Sequence, residues 1–328
     1  MSKVLVTTVP FGSENTLPLE LLENHQIDYL INPLGRKLNP EELIELVQDC
    51  EVIIAGTEKI PRKVMVAAKN LRLISRVGVG LDGVELNAAK ELNISVSYTP
   101  EAPAPAVAEL TIGMMLSLLR NIHVSNDQMH KGEWKRHFGR RIPEITIGVI
   151  GTGRIGGRVL RRLAAFGSPR IFANDLSPRS DITDKLKIEW VNKEKIFREC
   201  DLISIHLPLT TQTKNLITKN ELALMKSDAV IINTSRGGII NEQDLFDVLS
   251  NGHLAGAAID VFEKEPYQGN LKNIQRCLLT SHMGSMSKDC RSKMEIEATE
   301  EAIRFFTGKS LRNLVPISEY LAQGMDGV

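Results

Sequence analysis

The residues Gly151-Thr152-Gly153-Arg154-Ile155-Gly156 directly follow the β-rich run Ile147-Gly148-Val149-Ile150 and open a helical pattern. In that order the spacing suits a phosphate cradle, and each glycine has its own reason. Gly151 permits a tight turn, Gly153 lets a pyrophosphate approach the backbone, and Gly156 lets helix and strand pack closely. The helix that opens at Ile155, directly after Arg154, presents N–H groups and a positive dipole end that favour phosphate. About twenty residues past the last glycine, Asp175 ends the next strand-like run, where a carboxylate can accept hydrogen bonds from the adenosine ribose. The same charge would repel a 2′-phosphate, so the pattern reads as an NAD site in preference to NADP, with Arg179 close by pulling the other way.

Hydride transfer between a nicotinamide and a keto acid also needs a proton donor facing the carbonyl oxygen, a cation to hold and polarise the substrate, and an anchor for its carboxylate. Three segments offer polar groups at the C-terminal ends of strand-like runs, the rim where open parallel sheets bind ligands. They are Asn233-Thr234-Ser235-Arg236-Gly237-Gly238, Asp260-Val261-Phe262-Glu263-Lys264-Glu265-Pro266 and Thr280-Ser281-His282-Met283-Gly284-Ser285.

The elements that must position these residues alternate along the chain. Val4–Thr7, Asp28–Ile31, Glu51–Ala55, Leu71–Arg76 and Ile94–Ser97 read as strands, with helical patterns between them. Asn39-Pro40-Glu41-Glu42 has the form of an N-cap with proline at the first helical position, and Ile60-Pro61-Arg62 is read the same way. The proline-dense stretch Tyr98–Pro105 can extend neither element type and reads as an interdomain connection. Beyond it, Ala106–Asn121 is a long, largely apolar helix, expected to be buried between layers or subunits.

A second alternation begins at Ile145. Ile145–Ile150, Arg170–Asn174, Asp201–His206, Ala229–Thr234, Ala255–Asp260 and Cys277–Thr280 read as strands, and Ile155–Phe166 as a helix. Thr218 with Glu221 forms a capping-box pattern, Asn241 caps Glu242–Leu249, and a terminal helix spans roughly Ser287–Phe306. Alternation of strand and helix implies right-handed crossovers and parallel sheets. The expected fold is therefore α/β, with two doubly wound, Rossmann-like domains. Residues 1–101 and 286–328 form a substrate domain, and residues 102–285 form a dinucleotide-binding domain inserted into it. Two chain crossings would make a hinge whose closure excludes water.

A chain of 328 residues with 42% apolar content suits two such cores. Its 40 basic and 40 acidic residues cancel, which favours neither nucleic acid nor an anionic membrane as a partner. The N-terminus lacks a secretory pattern and no run approaches eighteen apolar residues, so a cytoplasmic protein is expected. Cys50, Cys200, Cys277 and Cys290 lie far apart, without metal-ligand spacing, and are expected to be reduced structural thiols with no metal.

Across nearly its whole length the chain resembles the D-isomer-specific 2-hydroxyacid dehydrogenase family, most of all its D-3-phosphoglycerate dehydrogenase branch. The resemblance is carried by Val77-Gly78-Val79-Gly80-Leu81-Asp82, Ala106-Val107-Ala108-Glu109-Leu110-Thr111, the glycine loop, His206-Leu207-Pro208-Leu209-Thr210 with Thr213, and the three rim segments. It implies NAD-dependent hydride transfer to or from C2 of a D-2-hydroxy acid or 2-keto acid, by a homodimer. It implies His282 as general acid and base, Glu265 as its hydrogen-bonding partner, and Arg236 as the fork that grips the substrate. It places Thr234, Ser235 and Asp260 at the nicotinamide end, His206, Leu207, Pro208 and Thr213 in a cofactor-lining turn, and Gly284 and Ser285 beside His282 at the cofactor. Arg76, Val79 and Gly80 are implied in substrate binding.

His206 also sits at a strand end and would compete for the acid role on residue type alone; its Leu-Pro-Leu-Thr context assigns it to the cofactor. Glu263 beside Glu265 is expected to be solvated. Glu265 argues against a formate-type site, which carries glutamine there. An imino-acid reductase and an NAD-sensing, corepressor-like binding protein stand as alternative readings. Gly56 and Glu58 occupy a loop where phosphoglycerate enzymes often place a basic phosphate ligand, which turns the expectation away from 3-phosphoglycerate. Ending at Val328, the chain is not expected to carry serine-responsive regulatory domains.

Overall fold

A computed structural model describes residues 4–179 and 186–324. The chain folds as two compact units, Met1–Pro103 with Met286–Val328, and Ala104–Ser285.

Unit 1 holds five parallel strands: β1 (Val4–Val6), β2 (Tyr29–Ile31), β3 (Val52–Ala55), β4 (Leu73–Arg76) and β5 (Ser95–Ser97), in the order β2-β1-β3-β4-β5. Strands β1, β3 and β4 are buried along their whole length, and β1 and β3 accordingly read as continuous apolar runs without alternation. The register pairs Val4 with Val52 and Val52 with Leu73, so the strands end at one level. The chain returns late to complete this unit, where the helix Lys288–Phe306 packs on β3 and β4 and the Ser75 hydroxyl donates to the Ala298 carbonyl at 2.8 Å.

Unit 2 holds seven parallel strands: β6 (Thr146–Ile150), β7 (Arg170–Asn174), β8 (Glu189–Trp190), β9 (Leu202–Ile205), β10 (Val230–Asn233), β11 (Gly256–Ile259) and β12 (Cys277–Leu279). Their order, β12-β11-β10-β9-β6-β7-β8, reverses at β6 and opens a crevice between β6 and β9. The apolar helix Ala104–Leu119 buries Val107, Ala108, Ile112, Met114, Met115 and Leu118 against the helix Arg154–Ala164 and strands β10 and β11. Among the described residues no single helix is long and apolar enough to cross a membrane. All four cysteines are buried free thiols, and burial pushes those of Cys200 and Cys277 up to about 12.

Several expectations need correction. Asn39 caps its helix with a full capping box to Glu42, as expected, but Pro61 is itself the N-cap residue and its helix begins at Arg62. The apolar helix starts at Ala104, with Pro105 in its first turn, where the missing donor costs nothing. It ends at Leu119 because Asn121 adopts a left-handed φ of 54° before the further helix Ile122–His130. The helix Ile317–Gly324 was not anticipated. It docks through Gln323, whose amide accepts from the Leu86 N–H at 2.8 Å and donates to the Val84 carbonyl at 2.8 Å.

Candidate active site

The glycine loop leaves β6 at the strand-order reversal. Gly151 has φ +88°, and a Cβ there would stand 2.4 Å from the His206 carbonyl oxygen. A Cβ on Gly156 would lie 2.0 Å from the Gly151 oxygen, so both positions require glycine for packing. Gly153 differs: a Cβ there would meet nothing within 4 Å. Protein packing does not demand that glycine, whereas a ligand approaching the backbone would. Gly153 is also the N-cap of the helix Arg154–Ala164, and no side chain caps that helix. An eleven-residue helix whose N-terminus faces open space fits a dinucleotide pyrophosphate.

Asp175 follows β7 directly. Its Oδ2 accepts from the Thr152 N–H at 2.6 Å and the Thr152 hydroxyl at 2.9 Å, and its Oδ1 from the Ser177 N–H at 3.0 Å. Burial alone would raise its pKa, but the donors of Ser177 and Thr152 prevail and hold it below the usual value. Asp175 therefore fixes the loop's second residue as well as presenting charge.

The turn after β9 is self-braced. The Thr213 hydroxyl donates to the Pro208 carbonyl at 2.6 Å and accepts from the Thr210 N–H at 2.8 Å. Leu207 packs against the glycine loop, with its Cδ2 3.1 Å from where a Gly151 Cβ would be. At the head of this turn, His206 shares a 2.9 Å hydrogen bond between Nε2 and Ser204 Oγ, while its buried Nδ1 has no partner. Burial pushes its pKa down to about 3. His206 is thus a neutral ring at neutral pH, unsuited to give up an imidazolium proton.

Asn233 ends β10 and organises the arginine loop. Its Oδ1 accepts from the Ser235 N–H at 3.0 Å and the Ser235 hydroxyl at 2.7 Å, and its Nδ2 donates to the Arg236 carbonyl at 2.8 Å. The Thr234 hydroxyl pairs with Thr111 at 2.8 Å, tying the loop to the apolar helix. A Cβ on Gly237 would fall 1.9 Å from the Phe262 carbonyl carbon. Only glycine lets the segment bearing Arg236 lie against the segment bearing Glu265.

His282 lies in the loop after β12 with a left-handed φ of 52°. Its Nδ1 is 3.0 Å from both Glu265 carboxylate oxygens. That pairing holds the Nδ1 proton and leaves Nε2 as the atom able to exchange one with a ligand. Glu263 is exposed and its backbone N–H is held by Glu242 at 2.7 Å, so the two neighbouring glutamates have separate tasks. Asp260, expected at the nicotinamide end, anchors the histidine loop. It is 1% exposed. Its Oδ1 accepts from the Met283 N–H at 2.9 Å and from the Thr280 hydroxyl, its Oδ2 from the Gly284 N–H at 3.0 Å, and its carbonyl from the His282 N–H at 2.8 Å. The carboxylate is occupied in holding the histidine loop.

Unit 2 thus brings together the glycine loop, Asp175 and the 206–213 turn around the β6 end, and Arg236, Glu265 and His282 on adjoining loops. Ser285 closes the same unit. Arg76, Val79 and Gly80 belong to unit 1, on the loop after β4, where Gly78 has φ +137° and its N–H donates to the Thr99 hydroxyl at 2.8 Å. Reasoning from sequence did not single out Gly237, Thr280 or Thr111. The Gly237-Gly238 pair beside Arg236 was the available signal for the first; the threonines fall inside quoted segments, but their partners lie 20 and 123 residues away.

Residues 112–284 match the family model of the D-isomer specific 2-hydroxyacid dehydrogenase, NAD binding domain. The chain is 36% identical over 284 residues to a D-3-phosphoglycerate dehydrogenase of Methanocaldococcus jannaschii, covering 85% of this chain and 54% of that protein. It thus spans about half the length of that relative. It is 34% identical over 274 residues to a hydroxypyruvate reductase of Thermotoga maritima, covering 81% of this chain and 88% of the relative. The solved D-lactate dehydrogenase of Aquifex aeolicus, complexed with NAD and lactic acid, superposes with a TM-score of 0.85 at 25% identity, covering 95% of this chain and 98% of that one.

Proposed function

The chain belongs to the D-isomer-specific 2-hydroxyacid dehydrogenase family, and from that premise we propose that it is an NAD-dependent oxidoreductase interconverting a small D-2-hydroxy acid and its 2-keto acid. The observation that carries this reading is the His282–Glu265 pair, 3.0 Å apart, in the unit that holds the glycine loop. The nicotinamide, when bound, supplies or accepts the hydride. The chain's own residues do the rest.

Gly151–Gly156 and the helix that follows would hold the pyrophosphate, and Asp175 the adenosine ribose. Leu207, Pro208, Thr213, Thr234, Ser235, Gly284 and Ser285 would line the remainder. Arg236 would grip the substrate's carboxylate and carbonyl through its forked N–H groups, stabilising negative charge that grows on the carbonyl oxygen. His282 Nε2 would deliver the proton to that oxygen in reduction and remove it in oxidation. Glu265 keeps the Nδ1 side protonated and the ring in place. In unit 1, backbone amides of the loop with Val79 and Gly80 would reach the substrate carboxylate, and Arg76 would meet a more distant anionic group such as a phosphate.

We further propose a cytoplasmic homodimer with no nucleic-acid or membrane partner. Four buried free thiols suit a reducing compartment. Trp134 and Phe138, 82% and 103% exposed in unit 2, suit a surface that a second copy covers. The test of the activity is NADH oxidation at neutral pH against a panel of 2-keto acids, with and without phosphate. Turnover of none of them would overturn it.

A further inference from the structure

We infer that Glu242, in the first turn of the helix Glu242–Ser250, is a positioning residue for the Glu265–His282 pair. Its carboxylate tethers the backbone of the Glu265 loop where that loop lies against the Arg236 loop. The inference rests on the reading that Glu265 and His282 are the acid–base pair, and it names what keeps them in place beside Arg236.

Two consecutive N–H groups of the Glu265 loop are committed. That of Phe262 donates to Glu265 Oε1 at 3.2 Å, the oxygen that also lies 3.0 Å from His282 Nδ1. The next, that of Glu263, donates to Glu242 Oε1 at 2.7 Å. The peptide joining Phe262 to Glu263 lies on Gly237, directly after Arg236, where a Cβ would stand 2.4 Å from the Glu263 nitrogen. Glu242 therefore holds the very peptide at which the two loops meet. A shift of that peptide would carry with it the Phe262 N–H that aims the Glu265 carboxylate.

The turn is closed on its other side by an aromatic stack. The rings of Phe262 and Tyr267 lie 4.1 Å apart at 21°, and the Tyr267 hydroxyl accepts from the Leu271 N–H at 3.1 Å. The tether itself has a fixed base. The Asn241 side chain accepts from the Asp244 N–H at 3.0 Å, and the Asn241 N–H donates to the Ile217 carbonyl at 2.9 Å.

An acidic residue in a first helical turn is ordinarily explained by the helix dipole. Asp244 stands in the same turn and serves the dipole too. Glu242 is placed differently, because it is only partly exposed and its oxygen is spent on a neighbouring loop. Burial raises its pKa, the Glu263 N–H opposes that, and the charges of Glu263 and Glu265 raise it again. A carboxylate kept against burial and two like charges is kept for its hydrogen bond.

The experiment uses the whole chain, NADH and the 2-keto acid it turns over best, with three variants. Glu242→Gln keeps an acceptor for the Glu263 N–H and loses the charge. Glu242→Asp keeps the charge and withdraws the acceptor by one methylene, and Glu242→Ala removes both. Glu242→Gln should stay close to the native kcat. Glu242→Asp and Glu242→Ala should fall by about 10–10²-fold, the scale on which a small misplacement of a reacting group acts, with the KM for NADH little changed. A dipole or charge role gives the opposite order, with Glu242→Asp near native and Glu242→Gln impaired.

The second readout needs no substrate. Nitrogen NMR of the His282 ring, assigned by its loss in His282→Ala, should show the neutral ring protonated on Nδ1 in the native chain and in Glu242→Gln. In Glu242→Asp and Glu242→Ala the Nε2-protonated tautomer should gain. Native kcat in a folded Glu242→Ala, Glu242→Asp more active than Glu242→Gln, or one tautomer throughout overturns the positioning role. If Glu242→Ala does not fold, the order of the other two variants decides. The expected tautomer change in a chain that reduces no 2-keto acid would sink the reductase reading and keep the tether, whereas turnover indifferent to all three variants would do the reverse.

Discussion

Two histidines at strand ends are separated by what surrounds them. His282 is anchored through Nδ1 by Glu265, so His282→Ala should lower kcat by about 10²–10⁴-fold, the usual worth of a positioned acid–base group. NADH affinity, measured by fluorescence titration, should change little, and a variant that kept its turnover would remove His282 from the chemistry. His206 should announce itself in stability instead. Its folded-state pKa of about 3 lies below the ordinary 6.5, so the unfolded chain takes up the proton first. Stability is full above about 6.5 and declines as pH falls from there toward 3, and His206→Gln should flatten part of that decline in melting temperature. Asp175 combines the two kinds of role. Asp175→Ala should narrow the preference for NADH over NADPH, and should also raise the KM for NADH, because Thr152 loses both hydrogen bonds. Equal kcat/KM for the two cofactors in the native chain would end the assignment of Asp175.

The loops and strands that carry these residues were legible where local chemistry repeats a known pattern. The glycine loop, the caps at Asn39, Thr218 and Asn241, and the buried strands announce themselves within a few residues of sequence. What stayed hidden depends on contacts between distant segments. The Asp260 carboxylate accepts from the loop of residues 280–284, a pairing no spacing rule encodes. The strand β8 has two residues and the helix Ile317–Gly324 eight, too few to carry a pattern of their own, and packing against neighbours stabilises them. The glycines supply a test at this scale. Gly156→Ala should lower the melting temperature sharply, since its Cβ would overlap the Gly151 oxygen. Gly153→Ala should fold with an unchanged melting temperature, its Cβ meeting only open space, yet weaken NADH binding about tenfold or more. If Gly153→Ala bound NADH normally, the pyrophosphate would have to be held elsewhere.

For the whole molecule, the order of segments was readable because the proline-dense stretch and the late polar run both interrupt the alternation of strand and helix. Surface association was less so. The segment 131–141 contains no regular element, yet its backbone is tied down in unit 2. The Arg140 N–H donates to the Leu119 carbonyl at 2.9 Å, His137 Nε2 lies 2.7 Å from Gln128 Oε1, and a Cβ on Gly139 would stand 2.4 Å from the Leu119 oxygen. A loop fixed at that many points has no need of aromatic residues for its own packing, and Trp134 and Phe138 are indeed both exposed. Ile122 and Met129 on the preceding helix are also about half exposed. Large apolar side chains exposed close together in sequence suit contact with another surface, and a second copy is the partner proposed above. The chain mass is 36.4 kDa, so sedimentation should report a particle of about twice that. Replacing Trp134 and Phe138 together by glutamate should shift the particle toward the monomer. It should leave the melting of unit 2 nearly unchanged, because neither side chain is buried in it. A native chain that sediments as a monomer at micromolar concentration would overturn the dimer, and one that stays dimeric in the double variant would move the interface off this arm.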